Sequence, residues 1–226
     1  MADIGLITIA GSPLEVLIPV WFYIFSGLAY FASAAVSLAV SYYSFRLYRT
    51  SKSKKFAMLS VVFAVLGVAY LALTLSSVYT YYYQSYFREE LGISLNVFNR
   101  QAFNFYYVTS LLSYVLLFVT YFPKNTGKRF HLLYVPLWFS SLTDFHIASL
   151  FLLAFVVARA AHNFYKFKST NTFLVLAAFA LMAVFHVAIL LLPFDLTYYL
   201  LSHALLAAGF VSLLIMLIRV NRIGRR

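Results

Sequence analysis

Long runs without charge constrain this chain more than any other feature. Residues 16–44, 56–82, 103–122, 130–143, 172–193 and 196–218 contain no Asp, Glu, Lys or Arg. About 20 consecutive apolar residues carry a helix through a hydrocarbon core roughly 30 Å thick. Adding 145–166, where the only such residues are Arg159 and Lys166, gives seven candidate spans. The fourth, FHLLYVPLWFSSLT, has 14 residues and would rise only about 21 Å as a helix. It is expected to be short and little tilted, to sit beside thinned membrane, or to be re-entrant. Composition points the same way: 64% of the 226 residues are hydrophobic and 10% charged, against about 25% charged in soluble domains. The expected fold is all-α, a polytopic integral membrane protein with one transmembrane domain over residues 1–226.

Charge placement orients the spans, because Lys and Arg collect in cytoplasmic loops near helix ends. Arg46, Arg49, Lys52, Lys54 and Lys55 follow the first span, and Lys124, Lys128 and Arg129 follow the third. Arg159, Lys166 and Lys168 close the fifth, and Arg219, Arg222, Arg225 and Arg226 follow the seventh. Seven crossings put these 15 of the 17 basic residues on one side. The other side receives Arg88, Arg100 and all six acids: Asp3, Glu15, Glu89, Glu90, Asp144 and Asp195. If the fourth segment did not cross, the later loops would change sides and the segregation would vanish. The expectation is a cell-membrane protein with its amino terminus outside and its carboxyl terminus inside. The net charge of +11 then reads as a cytoplasmic-face pattern. The expected partners are the lipid bilayer and a membrane or cytoplasmic protein, with no nucleic acid.

Several function classes are disfavoured. The chain has no cysteine, so it has no disulfide, thiolate or CxxC metal chemistry. The leader before the first span is short and lacks basic residues, unlike a secretory signal, so no cleavage is expected. The longest loop, roughly 84–102, lies outside and is able to form a small amphipathic helix along the surface. The connections leave no room for a soluble catalytic module, and enzymatic machinery is not expected. The seventh span has no lysine for a retinal Schiff base, and no HExxH, GxSxG or PQ motif occurs. No internal repeat is evident between spans one to three and five to seven.

Three groups of residues invite both structural and functional readings. Tyr79, Tyr81, Tyr82, Tyr83 and Tyr86 cluster at the outer end of the second span. There they anchor the helix at headgroup level, or form a redox chain or aromatic cage. Ser33, Ser37 and Ser41 recur every four residues and share one helix face. Such a face lets helices approach closely or lines a polar translocation path. Pro19 and Pro136 fall in spans one and four, where they would kink a helix, and Pro193 closes span six.

Histidines carry the sharpest signal. His131 and His162 stand among cytoplasmic cations and are expected at headgroup level. His186 and His203 lie seven residues before Pro193 and eight after Asp195, about 10 Å inward on consecutive antiparallel spans. An ionisable residue at that depth usually faces the bundle interior and marks a functional candidate. His146, two residues after Asp144, is expected with that acid nearer the outer mouth. Neutral imidazole also ligates haem iron, copper or zinc. The alternatives are therefore an interhelical hydrogen bond (to Ser202, Tyr198, Ser149 or a tyrosine of span two), a proton- or ligand-sensing pocket, or a bound haem b or transition metal.

The last two spans, FHVAILLLPFDLTYYLLSHALLAAGFVSLLIMLIRV, resemble the terminal hairpin of MASE-type heptahelical prokaryotic sensor domains. His203 and the pair Gly209-Phe210 are the matching positions. The resemblance implies a sensory role. Those domains precede a kinase or cyclase module, whereas this chain stops eight residues after its last expected span, so output is expected to pass through a partner. The leading expectation is a sensory, ligand-binding or accessory subunit with an outward-facing histidine pocket. The alternatives are a haem b electron-transfer subunit with His186 and His203 as axial ligands, and a small transporter or channel component using the serine face.

Overall fold

The structure is a computed structural model that describes residues 4–8, 15–19, 21–86, 92–121, 142–195 and 197–223. A short antiparallel hairpin, β1 (Ile4–Thr8) and β2 (Glu15–Pro19), precedes six helices. These are α1 (Trp21–Ser51), α2 (Lys54–Tyr86), α3 (Gly92–Tyr121), α4 (Leu142–Phe167), α5 (Thr170–Leu190) and α6 (Thr197–Ile223). All six are long and apolar enough to cross a membrane, so this is a multi-pass membrane protein.

Two expectations are corrected. The first span does not start at residue 16: Glu15–Pro19 pairs with β1, with Ile4 opposite Pro19, and α1 starts at Trp21. Val16 and Ile18 are β-branched and suit a strand, and the residue before a proline is disfavoured in helical conformation. Pro19 therefore ends a strand instead of kinking a helix. Residues 92–102 form no separate surface helix but continue into α3, since nothing from 93 to 121 is a proline or glycine to interrupt it. The fourth candidate span, 130–143, lies almost entirely outside the described residues, as do His131 and Pro136.

The two basic turns share one design. Lys52 and Lys168 take positive φ, at 53° and 43°, and each donates its N–H to the carbonyl four residues back, at 2.8 Å (Tyr48) and 2.7 Å (Phe164). A left-handed residue just past a helix satisfies its last carbonyls and turns the chain. Ser169 then caps α5 in a reciprocal capping box with Thr172.

The helices pack as a closed ring in chain order, with α6 returning to α1. Side-chain pairs give the directions. Tyr30–Tyr70 and Ser41–Ser60 make α1 and α2 antiparallel. His146–His186 and Phe164–Phe173 do the same for α4 and α5, and Phe185–His203 and Leu174–Ser212 for α5 and α6. In contrast, Tyr107 meets Phe145 and Phe118 meets Phe155, so α3 and α4 run parallel. Ser26 meets Tyr199 and Tyr43 meets Asn221, so α1 and α6 are parallel too. The end of α3 and the start of α4 thus lie at opposite ends of the bundle.

Packing follows small residues and aromatic rings. A Cβ at Gly209 would come 3.0 Å from the Ala178 carbonyl oxygen, so the absence of a side chain sets how closely α6 approaches α5. Phe63, Tyr70, Tyr114, Phe145, Phe179 and Phe210 are fully buried. Leu28, Leu75 and Phe151 instead turn outward, 64–71% exposed, as expected of side chains facing lipid rather than water.

Candidate functional site: a buried histidine–tyrosine layer

His186 lies four residues before the end of α5, and His146 four residues after the start of α4. The two helices are antiparallel, so the rings meet at one depth with Nδ1 to Nδ1 at 2.8 Å. On its other side, His186 Nε2 lies 3.1 Å from the Tyr114 hydroxyl of α3. His146, His186 and Tyr114 are all buried. A hydrogen-bonded chain thus ties α4, α5 and α3 together. It has two self-consistent arrangements. His186 Nδ1 donates to His146 while its Nε2 accepts from Tyr114, or His146 Nδ1 donates to His186 while Nε2 donates to the Tyr114 oxygen. One extra proton fits the second arrangement, but two would set a pair of N–H donors against each other.

His203 belongs to a second cluster. Its Nδ1 donates to the Tyr199 carbonyl at 2.9 Å, one turn back on α6, with Ser202 Oγ at 3.3 Å. The Tyr199 hydroxyl donates to Ser26 Oγ at 2.7 Å and lies 3.4 Å from the Tyr30 hydroxyl, joining α6 to α1. The Tyr30 ring packs 5.1 Å from His203 and 6.4 Å from Tyr70, and Tyr70 packs 5.4 Å from Tyr106. A continuous aromatic and polar layer therefore runs through the bundle between the two histidine clusters. Of its buried polar atoms, His203 Nε2 has no hydrogen-bond partner, while the Tyr70 and Ser110 hydroxyls both lie against the Tyr106 hydroxyl. Among the described residues no Asp, Glu, Lys or Arg is buried, so the layer holds no fixed charge.

The expected pairing of His186 with His203 is replaced by His186 with His146. The helix boundaries explain it: α4 begins at 142 and α5 ends at 190, so His146 is one turn inside the bundle rather than at its mouth. Phe185 packs edge-on against both His186 and His203, at 4.8 and 6.5 Å. With both ring nitrogens of His186 engaged, the pair does not present two free nitrogens to one iron. Among the described residues, Asp144, in the first turn of α4, joins no group of three His or acidic residues able to hold a metal ion.

The remaining candidates are placed as follows. Ser33 and Ser37 are buried; Ser33 donates to its own helix at Ala29, and Ser37 Oγ has no partner. Ser41 and Ser60 exchange hydroxyl-to-carbonyl bonds of 2.8 and 3.0 Å across the α1–α2 seam. Tyr79 and Tyr82 are exposed near the end of α2, and His162 is exposed near the end of α4. Asp195 lies in the turn before α6, where its carboxylate accepts from the Thr197 N–H and hydroxyl, both at 2.8 Å. These bonds, the backbone one foremost, hold its carboxyl below the usual carboxylate range.

Sequence reading missed Tyr114, Tyr30, Tyr70, Tyr106 and Tyr199. A signal for the first existed: Tyr106, Tyr107 and Tyr114 recur seven to eight residues apart inside an apolar run, which puts them on one helix face. Comparison of the chain with protein-family models, curated proteins and solved structures finds no match.

Proposed function

We propose that this multi-pass protein crosses the cell membrane seven times, amino terminus outside and carboxyl terminus inside, and works as a ligand- or proton-responsive module. Its working part is the buried histidine–tyrosine layer. Two independent observations support the threading: the segregation of basic residues, and the parallel packing of α3 and α4, which leaves the end of one and the start of the other at opposite ends of the bundle.

The observation that carries the functional reading is the chain His146–His186–Tyr114, at 2.8 and 3.1 Å. Ionisable rings at membrane depth mark function by default, and this chain has two arrangements of its protons rather than one. A second added proton, or a ligand that takes one of its bonds, breaks a link between α5 and its neighbours. The helices then repack, and the change passes to a cytoplasmic or membrane partner near the basic turns. The resemblance of the last hairpin to MASE-type sensors supports the same reading. Gly209-Phe210, one of its matching features, sits where α6 packs on α5 and on Phe63.

The test uses the absence of native cysteine. An environment-sensitive fluorophore on Phe194→Cys, in the exposed α5–α6 turn, should report a pH-dependent transition that His186→Leu and His146→Leu abolish. An identical response in those variants removes the layer from the mechanism. A Soret band in the purified protein would instead favour the electron-transfer reading.

A further inference from the structure

The six described helices divide into two groups with the same internal plan. In α1–α3 and in α4–α6 the first two helices are antiparallel and joined by a tight turn at a left-handed lysine, Lys52 or Lys168. Across the groups α1 is parallel to α4, α2 to α5 and α3 to α6, which is the relation a twofold axis along the bundle would produce. The contacts repeat as well. Tyr30 on α1 packs on Tyr70 of α2, and His146 on α4 packs on His186 of α5, each partner standing 116 positions on (30 to 146, 70 to 186). Tyr70 reaches across to Phe210 on α6, and His186 reaches across to Tyr114 on α3. Phe63 and Phe179 also cross, to Phe210 and to Tyr121.

With that register the sequence shows the same relation. Ala32-Ser33, Lys52-Ser53 and Phe63-Ala64 recur as Ala148-Ser149, Lys168-Ser169 and Phe179-Ala180, each 116 positions on. The repeat is hidden from sequence because the third helices keep a different spacing, Tyr114 matching Phe210 at 96. The layer sits where the halves meet. Two parallel copies related by an axis along the membrane normal, with a polar layer between them, is an arrangement that secondary transporters use to hold a solute and release it by rocking one half against the other.

We infer that the chain is a duplicated three-helix unit, and that the layer between the copies holds a small uncharged solute bearing hydroxyl or amide groups and carries it across the membrane. This rests on the reading of the layer as the working site and adds its substrate class. His203 Nε2, left bare because Nδ1 donates to Tyr199, offers an acceptor, and the neighbouring Tyr70, Tyr106 and Ser110 hydroxyls, which bond one another, offer donors and acceptors that a solute would take over. The rings of Tyr30, Tyr106 and Phe210 pack beside His203 and Tyr70. A charged solute would find no buried counter-charge among the described residues and would lose its hydration uncompensated. In such a carrier the α1–α6 seam, which also holds the Phe22–Tyr199 and Tyr30–His203 ring contacts, would have to open. Hydrogen bonds from Tyr199 to Ser26 lie at one end, and from Asn221 to the Tyr43 carbonyl at the other.

Full-length protein in proteoliposomes, followed by stopped-flow light scattering under imposed gradients of urea, glycerol or glucose, tests this. At least one of the three should enter severalfold faster than into protein-free vesicles, with sodium glutamate excluded. Tyr70→Phe, which removes only a hydroxyl, should slow that entry severalfold. Rates equal to protein-free vesicles for all three, glutamate entry as fast as theirs, or unchanged entry in Tyr70→Phe would overturn the inference. If the Phe194→Cys reporter still responds in vesicles without flux, the responsive module stands and the carrier falls. Flux with a silent reporter supports the carrier and removes the responsive module.

Discussion

At the scale of single residues, Tyr114 and His186 show what three-dimensional placement adds to a side chain. Tyrosine in an apolar run reads as packing, and here its hydroxyl is the partner that leaves no nitrogen of His186 unpaired. Tyr114→Phe keeps the ring and strips the hydroxyl. An interhelical hydrogen bond in a membrane contributes on the order of 1 kcal/mol, so unfolding in mild detergent should shift by about that much. No shift would mean the contact contributes nothing. The histidines themselves were legible, since three of the five sit in apolar runs away from the basic clusters. Their pairing was not: His146 looks superficial when the apolar run is taken to start at 145, and one turn of helix decides which rings meet. Asp195 makes a separate case. Its carboxyl is held below the usual range by the Thr197 N–H and then the Thr197 hydroxyl. A depressed carboxylate contributes stability above its unfolded pKa of about 3.9 and loses it as pH falls through the lower folded value. Protection of the first turn of α6 from hydrogen exchange should therefore fall below about pH 4 in the native protein relative to Asp195→Ala. Parallel pH profiles for the two proteins would rule this out.

At the scale of elements, two glycines make opposite predictions from the same substitution. A methyl at Gly209 meets the Ala178 carbonyl at 3.0 Å, a backbone atom that cannot swing away. Gly209→Ala should push α6 off α5 and cost about 1–3 kcal/mol. A methyl at Gly27 meets Ser77 and Val78 at ordinary contact distances of 3.5 and 3.6 Å, so Gly27→Ala should leave the thermal midpoint unchanged or raise it. Equal effects at both sites would show that close packing of α5 and α6 does not depend on Gly209. The positions of five helices were legible to within a few residues at most ends, because uninterrupted apolar runs leave a membrane segment little choice but helix. The start of α3 and the hairpin before α1 were not. Residues 92–102 are polar enough to read as loop, yet nothing in them breaks a helix, and Val16 and Ile18 look identical in a hydropathy profile whether they pair as strand or coil as helix.

For the whole molecule, direction matters more than helix number. The parallel packing of α3 and α4 and the confinement of 15 of 17 basic residues to four clusters are unrelated observations that ask for the same threading. The threading we propose would set the two halves side by side, with the histidine–tyrosine layer between them. The duplication we infer is hard to read in sequence, because chance identities are common in apolar runs and the third helices keep a different spacing, and the shared turns with the Tyr30–Tyr70 and His146–His186 contacts supply its register. The carrier proposed for the layer depends on the two halves pointing the same way. The most direct measurement labels single cysteines with a membrane-impermeant maleimide in sealed vesicles. Lys54→Cys and Thr170→Cys stand at the exposed starts of α2 and α5, and Phe194→Cys in the exposed α5–α6 turn. Seven crossings predict that Lys54→Cys and Thr170→Cys react from the same, cytoplasmic side, and Phe194→Cys from the opposite one. Labelling of Lys54→Cys and Thr170→Cys from opposite sides would contradict the threading and, with it, the pairing of the two halves.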